Sequence, residues 1–196
     1  DGCVLAYASE EPRNDKDVVL AAVKQNSRAL EYASMKLRGD YKIVLAAVKQ
    51  NGNALEYASM KLRKYRWFVL AAVRECGKAL RFVSSDLRND KEVVLVALKQ
   101  DGYALQYASK KLRKDKDVVL AAVKQEGDSM RYASMKLRND KDVVLAAVKW
   151  NGNALRYASV KLRNDKDVVM AVKWGGWVLE FASEELQGDA TWCWRW

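Results

Sequence analysis

One spacing governs this chain: Leu20, Leu45, Leu70, Leu95, Leu120 and Leu145 follow one another at twenty-five-residue intervals, and Met170 takes the next place. A fixed period of this length marks a tandem-repeat architecture, in which a small supersecondary unit is stacked on copies of itself. The copies run 14–38, 39–63, 64–88, 89–113, 114–138 and 139–163, with a shorter one at 164–187. Residues 1–13 match the second half of a copy, Leu5, Tyr7, Ala8 and Ser9 standing where Leu30, Tyr32, Ala33 and Ser34 stand. The chain thus opens in mid-repeat, which suggests a piece of something longer. Residues 1–187 are expected to form a single array, followed by a Trp-rich tail at 188–196.

Each copy reads as two short helices. In the second, Ala54, Leu55, Tyr57, Ala58 and Leu62 share one face at 3.6 residues per turn. The first, Val18 to Val23, is apolar throughout, and six such residues also suit a buried strand. Three signals favour a helix. Asp15, Asp40, Asp90, Asp115, Asp140 and Asp165 stand where an N-cap accepts amide hydrogen bonds. Lys24 and its counterparts fall in the last turn, where the helix dipole favours a cation. Gly52, Gly77, Gly102, Gly127, Gly152 and Gly176 follow, as left-handed stops. The expected fold is an all-α solenoid of helix-turn-helix repeats, with a strand–helix horseshoe as the alternative. The last copy, acidic at Glu180, Glu184 and Glu185, suits a terminal cap.

The repeated unit D-K-D-V-V-L-A-A-V-K-Q-N-G-x-A-L-x-Y-A-S-x-x-L-R resembles the repeat of domain-of-unknown-function family 4116. The resemblance covers all but about the last nine residues. It implies a helical repeat without an established activity, and it supplies no catalytic residues. Such repeats occur in algae and other unicellular eukaryotes, some intracellular bacteria and large DNA viruses.

Composition argues against an enzyme. Histidine is absent, so histidine bases, histidine-activated nucleophiles and histidine metal sites are excluded. The Asn14, Asp15, Asp17 pattern lacks the glycine turn and the later bidentate glutamate of a calcium loop, and helix capping explains it. Gly175-Gly176 lacks the spacing and the following lysine of a phosphate loop. Neither Glu10 with Glu11 nor Glu184 with Glu185 forms an acid–base pair, because adjacent helical residues point apart. No cofactor or metal is expected. Three scattered cysteines, Cys3, Cys76 and Cys193, point to a reducing intracellular or organellar compartment. The apolar runs are far too short to cross a bilayer as a helix, and peripheral membrane contact stays open.

The formal net charge of +10 speaks to partners. Arg38, Arg63, Arg88, Arg113, Arg138 and Arg163 occupy one repeat position. Lys24, Lys49, Arg74, Lys99, Lys124, Lys149 and Lys173 occupy another. Stacking would turn each column into a ladder of positive charge able to follow a phosphate backbone. Cations in last turns are also favoured for reasons of helix stability alone. A nucleic-acid site would need aromatics beside the arginines, and Tyr32, Tyr57, Tyr107, Tyr132 and Tyr157 are expected in the core.

Departures from the repeat are more informative. Copy three replaces the capping aspartate with Tyr65 and continues Arg66, Trp67; copy two carries Tyr41 and Lys42 at the same edge. Neighbouring copies would bring these five residues together, in a mixture enriched at interface hot spots. Six of the 7 tryptophans lie late in the chain: Trp150, Trp174, Trp177, Trp192, Trp194 and Trp196. They suit a partner surface, a cover for the end of the array, or a membrane-interface contact. The expected function is a non-catalytic protein–protein interaction scaffold or accessory subunit of a larger assembly. An algal organellar or membrane-bound complex is a setting drawn only from the family's distribution. Salt-dependent nucleic-acid binding and membrane-surface association are the alternatives.

Overall fold

A repeat of twenty-five residues has room for one good helix and a compact return, and each copy from 14 to 163 builds this. The structure, a computed structural model, describes residues 2–172. The chain divides into two compact units, Asp1–Ser109 and Lys110–Trp196, each a run of stacked copies. The fold is an all-α solenoid of tandem repeats, and the described residues contain no strand.

The first unit contains the helices α1 (Lys16–Gln25), α2 (Tyr41–Gln50), α3 (Arg66–Glu75) and α4 (Lys91–Gln100). The second contains α5 (Lys116–Val123), α6 (Lys141–Trp150) and α7 (Lys166–Met170). Aspartate caps start six of these as expected: in α2 the Asp40 carboxylate accepts from the amides of Lys42 and Ile43, at 2.9 and 3.3 Å. The buried stripe follows helical geometry, with Ile43, Val44, Ala47 and Val48 inaccessible in α2 and Val93, Val94, Ala97 and Leu98 in α4.

In the copies described to their end, 14–163, the second half is not one helix. It is a six-residue 3-10 turn such as Gly52–Tyr57, an extended residue such as Ala58, and then a short 3-10 turn such as Leu62–Lys64 or, in the second unit, a four-residue α-helix, Met135–Arg138 or Val160–Arg163. The interruption has a cause. The Ser59 amide does not bond within its own copy but donates to the Arg38 carbonyl of the preceding one, at 2.8 Å. Ser34 does the same to Arg13, Ser84 to Arg63, and Ser109 to Arg88 in the first unit; Ser134 and Ser159 reach Arg113 and Arg138 in the second. A backbone link between copies takes the donor a continuous helix would need. Ala54, Leu55, Ala58 and Leu62 are still buried, because the 3-10 turn holds nearly the same face inward.

The glycines after the first helices also differ from expectation. The cap residue is Asn51, with φ −151°, and its side chain accepts from Asn53 to start the 3-10 turn. Glycine is needed for close approach. A Cβ on Gly77 would lie 2.5 Å from the Ala97 carbonyl oxygen, and one on Gly127 would lie 2.6 Å from that of Ala147. Each bare glycine seats its copy against the C-terminal turn of the next first helix.

Candidate docking surface

The N-terminal edge of the first helices carries an ion ladder between copies. Lys16 reaches the capping Asp40 of the next copy at 2.7 Å. Arg66 bridges Asp90, at 2.8 Å, and Glu92. In the second unit Lys116 spans Asp140 and Asp142, and Lys141 spans Asp165 and Asp167, all between 2.7 and 2.9 Å. Each cap thus serves two purposes, holding its own helix and the preceding copy.

These contacts set the ionisation of the ladder. Arg66 holds Asp90 below the usual aspartate range, and Lys141 does the same to Asp165, against partial burial. For Asp40 and Asp140 burial pushes the carboxyl upward, and the lysine hydrogen bond with the helix amides outweighs it. The cations move in reply: Asp40 raises Lys16, and Asp140 with Asp142 raises Lys116.

The ladder breaks at one junction in the first unit, between copies two and three. Tyr41 replaces the lysine, Tyr65 the cap and Trp67 the second carboxylate. The Tyr41 and Trp67 rings meet edge to face, with centroids 5.7 Å apart at 74°. Trp67 also stands edge-on to the buried Phe68 at 5.9 Å. Lys42 lies 6.0 Å from the Tyr41 ring and Lys61 lies 5.7 Å from that of Tyr65. Tyr65 makes no side-chain cap. The aromatics remain open, Trp67 58% and Tyr41 46% exposed. Arg66 turns away from this group to the following copy.

The other candidates sit apart from this junction. Trp150 ends α6 in the second unit and is 57% exposed. It holds the place where Gln50 donates to the Lys24 carbonyl of the previous copy. Trp174, Trp177, Trp192, Trp194 and Trp196, with Lys173 and the whole 188–196 tail, lie outside the described residues.

The arginine column is not a solvent ladder. Arg38, Arg63, Arg88, Arg113, Arg138 and Arg163 are half-buried, and each has its Nε sealed without a hydrogen-bond partner among the described residues. Arg13, at the same position, satisfies its guanidinium on the Leu5 and Ala6 carbonyls at 3.1 and 2.9 Å. The tyrosines also depart from expectation. Tyr32, Tyr57, Tyr107, Tyr132 and Tyr157 are half-buried, not core. Arg131 and Arg156 stand over the rings of Tyr132 and Tyr157, at 4.6 and 4.7 Å. Their hydroxyls draw these rings toward water.

The repeated carboxylates have structural partners. Asp15 accepts from the Asp17 and Val18 amides, and the Asn14 side chain accepts from the Ser34 hydroxyl at 2.9 Å. Among the described residues no helix is long and apolar enough to cross a membrane.

Stacked copies, linked by backbone, ion pairs and shared core, define a helical tandem-repeat protein. A family model described as Domain of unknown function (DUF4116) matches at residues 1–38, 15–63, 40–88, 68–113, 90–138, 115–163 and 140–187. The chain belongs to this family. No curated protein and no solved structure matches it.

Proposed function

We propose that this chain is a non-catalytic docking module, a protein–protein interaction scaffold or accessory subunit of a larger assembly. The observation that carries this reading is the exposed Tyr41–Tyr65–Trp67 group at the break in the ladder. Three replacements fall together there, and they exchange a solvated ion network for open aromatic surface. A change of that kind forgoes a helix cap and exposes rings that are otherwise placed inside, whereas a partner surface uses both rings and neighbouring cations. The residues flanking the group, Lys42, Lys61 and Lys64, favour a partner of acidic character.

The reading is tested by rebuilding the ladder. The triple variant Tyr41→Lys, Tyr65→Asp, Trp67→Asp carries at this junction what the other junctions carry, so its fold is retained. Capture from the native source, compared between wild type and triple variant, is expected to lose a specific partner. Identical capture by both proteins would overturn the proposal.

A further inference from the structure

Some cations of the first unit are paired and others are not. Lys16, Arg28, Lys49 and Arg66 have carboxylate partners. Arg63, Lys64 and Arg88 have no ion pair among the described residues, and all three line one groove of about 190 Å³. Its remaining polar wall is Ser84 and Ser85; Met60, Phe82 and Val83 supply the apolar wall. No carboxylate lines it. The groove at Arg13 and Arg38 differs, at about 810 Å³ with Glu10, Glu11 and Glu31 in its lining.

Copy three departs from its neighbours at this groove. Ser85 stands where Met35, Met60 and Met135 stand in other copies, so a bulky side chain is missing from the lip. Ser34, Ser109 and Ser159 donate their hydroxyls to Asn14, Asn89 and Asn139; Ser59 and Ser134 have Gly39 and Lys114 at the matching position, and Ser84 has Lys64. That hydroxyl is therefore available to a ligand. The exposed Asp86 follows Ser85 without lining the groove.

Two half-buried guanidiniums, a lysine and two serines, in a groove that no carboxylate lines, make an anion site, and the planar fork of arginine matches a phosphate. The volume is below the roughly 300 Å³ at which small-molecule pockets begin, so it admits a phosphoryl group and its stem but no nucleoside. A polyanion following the arginine column would meet Glu10, Glu11 and Glu31 at the other groove. Met60, 66% exposed, offers apolar contact to a flanking side chain. We propose that the groove of Arg63, Lys64, Ser84, Ser85 and Arg88 binds a phosphorylated serine or threonine in a segment of a partner protein. The proposal rests on the docking reading and names the chemistry of what docks.

The test is an amide and arginine Nε–H NMR titration of the whole chain, the sealed Nε–H groups being slow to exchange. The probes are a short peptide with one phosphoserine between leucine and alanine, its unphosphorylated form, and an oligothymidylate. The phosphopeptide is expected to move the Arg63 and Arg88 signals saturably. Ser85→Glu, at an exposed position that leaves the core alone, and Arg88→Gln should each weaken binding about tenfold. Arg138→Gln should leave it unchanged. No movement, equal movement with the unphosphorylated peptide, or a Ser85→Glu variant that binds as before would overturn the proposal. So would oligothymidylate binding that shifts Arg113 and Arg138 together with Arg63, which would identify a nucleic-acid surface. A failed titration leaves the ladder-rebuilding result standing, and unchanged capture by the triple variant leaves a positive titration standing.

Discussion

Tyr41 and Trp67 are twenty-six residues apart and meet edge to face at 5.7 Å, which is the pairing that Arg66 makes with Glu92, and Lys116 with Asp142, through charge. A ring pair has taken the place of an ion pair without changing which positions touch. The junction therefore remains a stacking contact while its chemistry toward solvent is inverted.

Tyr65→Asp should stabilise the first unit. The new carboxylate would accept from the Trp67 and Phe68 amides as Asp40 and Asp90 do in their copies, and a cap of this kind contributes ~1 kcal/mol. Urea denaturation followed by circular dichroism measures the gain. An unchanged or lower midpoint would mean that the tyrosine makes a compensating contact.

The ladder predicts a stability plateau around neutral pH. Asp40, Asp90, Asp140 and Asp165 have lowered values, so their contribution is complete above the unfolded aspartate range and is lost as pH falls through the lowered values. Lys16, Lys116 and Lys141 have raised values; their contribution is complete below the ordinary lysine range and is lost as pH rises past it. Denaturation midpoints across pH should fall at both ends. High salt should flatten both slopes, because these pairs are solvent-exposed.

Two glycines make opposite predictions. Gly77→Ala drives a Cβ to 2.5 Å from the Ala97 carbonyl oxygen, and relieving that clash costs about 1–3 kcal/mol. Gly39→Ala meets nothing nearer than the Ser59 hydroxyl at 3.6 Å and should be neutral or stabilising by about 0.4–1 kcal/mol. Thermal unfolding of the two variants gives the comparison directly.

Ser129 holds a position occupied by Ala54, Ala79, Ala104 and Ala154 in other copies. Its hydroxyl is fully buried and has no hydrogen-bond partner among the described residues. Ser129→Ala should therefore stabilise the second unit by about 1–3 kcal/mol. A destabilised variant would show that the hydroxyl has an acceptor after all.

The first helices were legible because their signals are local: an aspartate cap, an apolar stripe and a last-turn cation lie within one stretch of chain. The break at Ser59 was not, because its cause is the Arg38 carbonyl of another copy, and no periodicity within one copy reveals a backbone bond to the next. The glycines misled for the same reason, since a stop by left-handed backbone and a seat for a neighbour's carbonyl leave the same residue in the sequence. Tyr41, Tyr65 and Trp67 were legible as a group because they break a rule that every neighbouring copy states. The half-buried arginines were legible as a column. Their burial, and the acid-free groove at copy three, depend on which side chains face which across a junction.

The serine-to-arginine amide links recur at one fixed offset from copy to copy. Gain or loss of a single residue inside a copy would put that donor out of reach of its carbonyl, whereas gain or loss of a complete copy leaves every offset as it was. Variation in length ahead of a shorter last copy such as 164–187 should therefore come in steps of a whole repeat, and a junction with its own chemistry, such as that at Trp67, can be moved along the array without redesign of its neighbours.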